Sequence, residues 1–86
     1  MAYNKPPKIT GAMPELMHAD DAQWIFSKLS ALHQDERFKV CEAYSNAFNK
    51  ALEAEPLSHR KTGKARFASN NRLRIYIGKK FAVFNK

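Results

Sequence analysis

Apolar side chains recur every three or four residues along two stretches between residues 20 and 55, the spacing of helices that bury one face. The first predicted helix begins near Asp20, a suitable N-cap, and Gln23 is placed to return the capping hydrogen bond. It is predicted to end around Leu32-His33. Its apolar stripe consists of Ala22, Ile25, Phe26, Leu29 and Leu32. Trp24 falls well away from the centre of this stripe, so we expect that the N-terminal arm covers it or that it faces a partner.

The second predicted helix begins near Asp35, another candidate N-cap, with Glu36 placed favourably at the positive end of the helix. It is predicted to stop about Glu55, because Pro56 disfavours the α conformation at the residue before it. Its apolar face consists of Phe38, Cys41, Tyr44, Phe48, Ala51 and Leu52, with Val40 widening it. The link between the two helices is short, which predicts an antiparallel helical hairpin over residues 20–55.

The segment after Pro56 admits two interpretations. In the favoured one, a polar loop containing Gly63 leads into a helix from about Lys64 to Ile77, and Gly78 stops that helix. The apolar side of that helix would consist of Phe67, Leu73, Ile77, Phe81 and Phe84, together with Asn70. In the alternative, residues 72–77 alternate as a strand and turn at Gly78 into a C-terminal β-hairpin.

The predicted fold is therefore mainly α, an antiparallel helical hairpin plus a third basic helix. Residues 1–86 are expected to form a single small domain, with 44% hydrophobic and 27% charged residues in 9.9 kDa. Within it we distinguish an N-terminal arm (1–19), which is rich in proline, the helical hairpin (20–55) and a basic segment (56–86).

Charge is unevenly distributed along the chain. Residues 1–55 carry six Lys and Arg against eight acids, a net charge of −2, whereas residues 56–86 carry nine Lys and Arg and no acid, which leaves +7 overall. A long acid-free segment is typical of proteins that bind an anionic partner. No apolar run long enough to span a membrane and no secretory signal is visible. The single cysteine, Cys41, cannot form an internal disulfide, which favours a reducing cytoplasm.

Nucleic acid is the anionic partner that the basic segment favours. Its Lys and Arg side chains would neutralise phosphates, and such contacts distinguish little between one base sequence and another. Asn70 or Asn71 could pair with adenine in a major groove, or else only cap or solvate a turn. Phe67 or Tyr76 could stack on a single-stranded base, although aromatic residues at such positions more often belong to the core. The predicted nucleic-acid-binding residues are Arg60, Lys61, Lys64, Arg66, Asn71, Arg72, Arg74, Lys79 and Lys80.

Several motifs between residues 24 and 76 occur in a fixed order: a first helix with Trp and Leu, then ERFKVCEAYSNAFNKA, a basic link, and ARFASNNRLRIY. This order resembles the amino-terminal helical region of phage replication-initiation endonucleases and of related small prophage proteins. The last motif is similar to an Arg/Ala-Asn-x-x-Leu-Arg segment of that family, but here the Ala-Asn pair is interrupted by Ser69 and doubled as Asn70-Asn71. The resemblance implies a phage or prophage setting, in a bacterial host cell, and a role in DNA replication or recombination. Those endonucleases carry their catalytic tyrosines and metal-binding histidines outside this region, so no catalytic residue is carried over.

Catalysis and metal binding are not indicated by the sequence. The spacing of His18, His33, Cys41 and His59 matches no zinc pattern, and three glycines leave little room for a phosphate-binding loop. We therefore expect neither an enzyme nor a metal or cofactor.

Protein binding is the rival interpretation. A basic surface can occupy an acidic patch on a host DNA-processing or defence protein, and Trp24 would be the anchor of such a modulator or inhibitor, because aromatic residues dominate interfaces. A small core with aromatic residues left over also permits a homodimer.

Overall fold

The computed structural model describes residues 12–82, which form three α-helices and contain no strand. A short 3₁₀ turn, Ala19–Asp21, leads into α1 (Ala22–Leu29); α2 is Gln34–Ala54 and α3 is Ser58–Ala82. The predicted mainly α fold, a helical hairpin plus a third basic helix, is confirmed. The alternative β-hairpin is wrong, because residues 72–77 lie inside α3. Predictions for residues 1–11 and 83–86, including most of the arm, lie outside the described residues.

The first helix is shorter than predicted and is capped differently. The His18 side chain, rather than that of Asp20, begins the 3₁₀ turn by accepting a hydrogen bond from the backbone N–H of Asp20 at 3.0 Å. Asp21 directly precedes α1 but makes no side-chain cap, because its carboxylate binds side chains of α3 instead. The helix ends at Leu29. Leu32 lies in the turn that follows, and its side chain is still buried.

Local signals set both ends of α2. Asp35 and Glu36 lie in its first turn, where their charges favour the start of the helix, but the N-cap residue is His33, so Asp35 is not the cap that the sequence predicts. Glu55 adopts an extended conformation (φ −92°, ψ 115°), which the following Pro56 favours, and the helix ends at Ala54. The Lys61 ammonium group then donates to the backbone carbonyls of Leu52 and Glu55, each at 2.7 Å, and so satisfies carbonyls that the end of the helix leaves unpaired.

The third helix extends beyond its predicted bounds in both directions. The predicted loop around Gly63 is helical, and Gly78 does not stop the helix, which continues to Ala82. Glycine in a helix interior costs only about 1 kcal/mol relative to alanine, an amount that tertiary packing readily exceeds. The glycine signals were therefore overridden at both positions.

Helices α2 and α3 run antiparallel and form the largest helix–helix interface. The start of α2 contacts the end of α3, where Glu36 bonds Lys80, and the end of α2 contacts the start of α3 through Lys61. Ala65 and Ser69, one turn apart on α3, have no exposed surface, so the neighbouring elements approach the α3 backbone closely there. The Ser69 hydroxyl donates to the Ala65 carbonyl at 2.7 Å, which satisfies this buried polar group within α3.

The core lies where α1 and the turn after it pack onto this helix pair. The buried residues that form the core cluster are Ile25, Leu29, Leu32, Cys41, Tyr44, Phe48, Ala65 and Leu73. The molecule measures 42 × 37 × 19 Å, so its thinnest dimension is about two helix diameters of ~10 Å. A slab of two layers leaves large parts of α2 and α3 in contact with water.

Two phenylalanines predicted on apolar faces are exposed. Phe38 is 59% exposed and Phe67 is 71% exposed. On α2 the buried positions are 37, 41, 44, 47 and 48, so Arg37 faces inward where the sequence predicts Phe38. Arg37 Nε donates to the Ala12 carbonyl at 2.7 Å, and its guanidinium lies 5.6 Å from the centroid of the Phe26 ring.

Candidate nucleic-acid interface

The predicted binding residues of α3 do not share one face. Positions 60, 64, 67, 71 and 74 recur at spacings of three and four, so they line a single face of the helix. All of them are exposed except Asn71, which is half-buried. We call this face the outer ridge; it consists of Arg60, Lys64, Phe67, Asn71 and Arg74.

Arg72 and Lys79 lie on another side of the helix, where α3 meets the first half of α2. Both line a groove of about 860 Å³ whose walls also include Val40, Ile75 and Tyr76. The structure therefore separates Arg72 from Arg74, two residues that the sequence places together.

Four of the predicted cations bind groups within the protein, and one of these is Arg74, which donates a hydrogen bond to the side chain of Asn71. Lys61 holds the end of α2, Lys80 lies 3.0 Å from a carboxylate oxygen of Glu36, and Arg66 is paired with Asp21. A phosphate would have to compete with these contacts. In contrast, Arg60, Lys64, Arg72 and Lys79 form no ion pair with any residue from 12 to 82.

The pair of Arg66 and Asp21 connects α3 to the start of α1. Arg66 Nε and Nη2 each donate to an Asp21 carboxylate oxygen at 2.9 Å, and Asn70 Nδ2 donates to the same carboxylate at 2.9 Å. The hydrogen bond from Arg66 lowers the pKa of Asp21 below its ordinary value of 3.8, against the opposing effect of burial, and Asn70 adds to the lowering. The aspartate is thus held in its charged form.

The two adjacent asparagines have different surroundings. Asn70 uses both ends of its amide inside the protein, since its oxygen accepts from the Tyr44 hydroxyl while its nitrogen donates to Asp21. Burial raises the pKa of the Tyr44 hydroxyl, which keeps it protonated as a donor. Asn71 lies on the outer ridge, where its side-chain oxygen accepts a hydrogen bond from Arg74 Nη2. Of the two, Asn71 is therefore the one placed to contact a ligand.

A second, smaller groove of about 330 Å³ lies between α1 and the outer ridge; we call it the Trp24 groove. Its lining comprises Asp21, Trp24, Arg66, Phe67, Asn70, Asn71 and Arg74. Trp24 packs partly against the core cluster and is half-buried, and the Lys28 ammonium lies 5.8 Å from the centroid of its ring. Because Trp24 lies away from the apolar stripe of α1, its side chain forms a wall of this groove.

The sequence pattern does not predict this groove. It depends on the contact of Asp21 with Arg66, two residues 45 positions apart, and no local pattern links them. The available signal was the departure of Trp24 from its stripe, which indicated a special environment but not which residues would surround it.

The described residues contain no cluster of three or more metal-ligating side chains, and none of their helices is both long and apolar enough to cross a bilayer. The chain has no significant match among protein-family models, curated proteins or solved structures. A functional assignment therefore rests on the residues and their arrangement.

Proposed function

We propose that this protein is a phage or prophage accessory protein that binds nucleic acid electrostatically through the outer ridge of α3, in DNA replication or recombination. The observation that carries the proposal is that α3 has no acidic residue over its 25 positions, while three cations of the ridge point away from the core. Such a surface attracts a polyanion and releases its counterions.

The distribution of acids supports this proposal. Two carboxylates of residues 12–82 form ion pairs with α3, Asp21 with Arg66 and Glu36 with Lys80. The charges of Arg60 and Lys64 are not compensated by any carboxylate of residues 12–82 within ion-pair distance. Arg60 and Arg74 are 14 residues apart, or about 21 Å at ~1.5 Å per residue, a span of roughly six nucleotides in a stacked strand at 3.4 Å each.

The proposed phage setting rests on the resemblance of residues 24–76 to phage replication-initiation endonucleases. The proposed location in the bacterial cytoplasm rests on the same resemblance. A single cysteine that is buried and free fits a reducing compartment. The proposal includes neither catalysis nor a cofactor.

A salt series tests the electrostatic part. Binding of a fluorescent 20-nucleotide DNA or RNA is followed by anisotropy for the natural protein, for Arg60→Ala/Lys64→Ala and for Lys39→Ala/Lys50→Ala. Both double variants remove two exposed cations, but only the first removes them from the ridge. The ridge variant should flatten the dependence of log K on log salt by roughly 0.7 to 0.9 per lost phosphate contact, and the α2 variant should not. Absence of binding at low salt, or equal effects of both variants, would refute the proposal.

A second candidate function is docking on a host DNA-processing or defence protein. It is favoured by the groove between α2 and α3, where Ile75 is 50% exposed and Tyr76 is 38% exposed. In that case Ile75→Ser would abolish stoichiometric capture of one host protein after nuclease treatment, whereas Arg60→Ala/Lys64→Ala would retain it. A homodimer through the same face would instead change the mass measured by sedimentation equilibrium.

A further inference from the structure

We propose that the Trp24 groove binds an unpaired base of single-stranded nucleic acid, with the base stacked on Phe67 and the flanking phosphates bound by the outer ridge. This inference rests on the proposed function and narrows it to single strands. It gives a role to the Phe67 side chain, which is not part of the core cluster.

The first argument is the exposure of Phe67. It is 71% exposed, the highest value among the large hydrophobic residues of the described chain, and it contributes nothing to the core cluster. It also lies in the middle of a row of polar and charged residues. Aromatic rings that alternate with cations along a surface are typical of proteins that bind single strands, because every base offers a flat face for stacking.

The second argument is the shape of the site. The Trp24 groove is a concave space of about 330 Å³, bounded by Trp24 and Phe67 as its two aromatic walls. This volume lies at the lower end of the range of ~300 to 1,000 Å³ for small-molecule sites. A base inside a duplex cannot enter a concave site without leaving its stack, which costs a few kcal/mol, whereas a base of a single strand enters at little cost.

The third argument is the placement of charge around the ring. Lys64 lies one helical turn before Phe67, and Arg74 lies two turns after it, so phosphates on both sides of a stacked base would meet cations. Arg66 is held in place in the groove by its two hydrogen bonds to Asp21. The polar groups are thus largely oriented before a ligand arrives, which lowers the entropic cost of binding.

Trp24 is the single tryptophan of the chain, so its fluorescence reports directly on this groove. The test titrates the protein with oligothymidylate of 12 nucleotides, with a deoxyribose-phosphate oligomer of equal length that lacks bases, with a duplex of equal length, and with thymidine monophosphate. We expect strong quenching by oligothymidylate at low micromolar concentration and none by the abasic oligomer or the duplex, even where these bind to the ridge. An oligouridylate arm shows whether RNA is also accepted.

The outcomes separate the two proposals. If the abasic oligomer and the duplex bind as tightly as oligothymidylate, with the same salt dependence and the same fluorescence, the base site is refuted and the electrostatic function stands. If no polymer binds at low salt, both fail. Saturation by thymidine monophosphate at the same concentration as the oligomer would show that the ligand is a free nucleotide and would overturn the single-strand inference.

Variants of Phe67 test the stacking itself. Phe67→Ala should lower the affinity for oligothymidylate about five- to hundredfold, the range found when a stacking aromatic is replaced by alanine. Phe67→Tyr retains an aromatic face and should restore most of the affinity. Because Phe67 is so exposed, neither variant should change the melting temperature, and salt-dependent binding of the duplex should stay within about twofold. An unchanged affinity of Phe67→Ala for the single strand would refute the stacking role.

Discussion

Arg66 on α3 donates two hydrogen bonds to the carboxylate of Asp21, from Nε and Nη2, each of 2.9 Å. The Asp21 side chain is only 14% exposed, although that of Arg66 is 36% exposed. Two-pronged pairs of this kind fix geometry as well as charge. Asp21 directly precedes α1, so this pair joins the start of that helix to α3.

The pairing makes stability depend on pH in the acid range. The native pKa of Asp21 lies below its ordinary 3.8, so folding favours the charged form. The contribution of Asp21 to stability is therefore fully present above the pKa of the unfolded chain, and it is lost as pH falls through the lower native pKa. Asp21→Asn should lower the melting temperature at pH 7, and the difference from the natural protein should shrink toward pH 3.

Circular dichroism at several pH values provides this measurement. Asp20→Asn is the matched control. The Asp20 side chain is 73% exposed and, within residues 12–82, forms no hydrogen bond with α3. This variant should change the melting temperature little at either pH. Equal losses for the two variants at pH 7 would contradict the role assigned to Asp21.

Leu29 is the residue whose truncation should destabilise the fold most clearly. It has no exposed surface and belongs to the core cluster, so Leu29→Ala should cost about 2–5 kcal/mol in the free energy of unfolding. Leu57→Ala is the control, since Leu57 is 46% exposed and its truncation should cost about 0.5 kcal/mol or less. Urea denaturation measures both, and similar costs would show that the core is not packed as described.

Gly78 should tolerate alanine and gain stability from it. It lies inside α3, and a Cβ placed there meets no heavy atom within 4 Å. Gly78→Ala should therefore raise the free energy of unfolding by about 0.5–1 kcal/mol and preserve helical content. The same is expected for Gly63→Ala. A loss of stability would contradict the helical conformation of Gly78.

The thiol of Cys41 should be unreactive in the folded protein. It is 5% exposed, and burial raises its pKa, while the charge of nearby Arg37 opposes the rise. Reaction with a chromogenic disulfide reagent at pH 8 should be slower than in denaturant by roughly a hundredfold or more, because it requires opening of the core. Rapid reaction of the folded chain would show that α2 is accessible at this position.

The sequence predicted α2 well because both of its ends have local causes. Asp35 lies in its first turn and Pro56 follows its last, and the effect of each depends on its immediate neighbours. The inward direction of Ile25 and Leu29 on α1 was predicted for a similar reason, since their stripe is clear. In contrast, the bounds of α3 could not be read from Gly63 and Gly78, because their signals are weak compared with packing energy.

The candidate site was predicted less completely because α3 has no single apolar face. Its large apolar residues are spread around the helix, and its buried stripe begins with two small residues, Ala65 and Ser69. The rotational position of the helix is therefore set by what packs against it. For that reason the sequence pattern places Phe67 on the apolar side, although it is exposed, and does not identify Asp21 as the partner of Arg66.

The burial of Ala65, Ser69 and Leu73 has a consequence for how the charge of this protein can change during evolution. The helix that carries most of the positive charge also completes the hydrophobic interior, so a chain shortened to its first 55 residues would expose Ile25 and Leu29 to water. Selection for a different ligand can therefore act only on those positions of α3 that face outward, and every variant must retain the inward ones to fold at all.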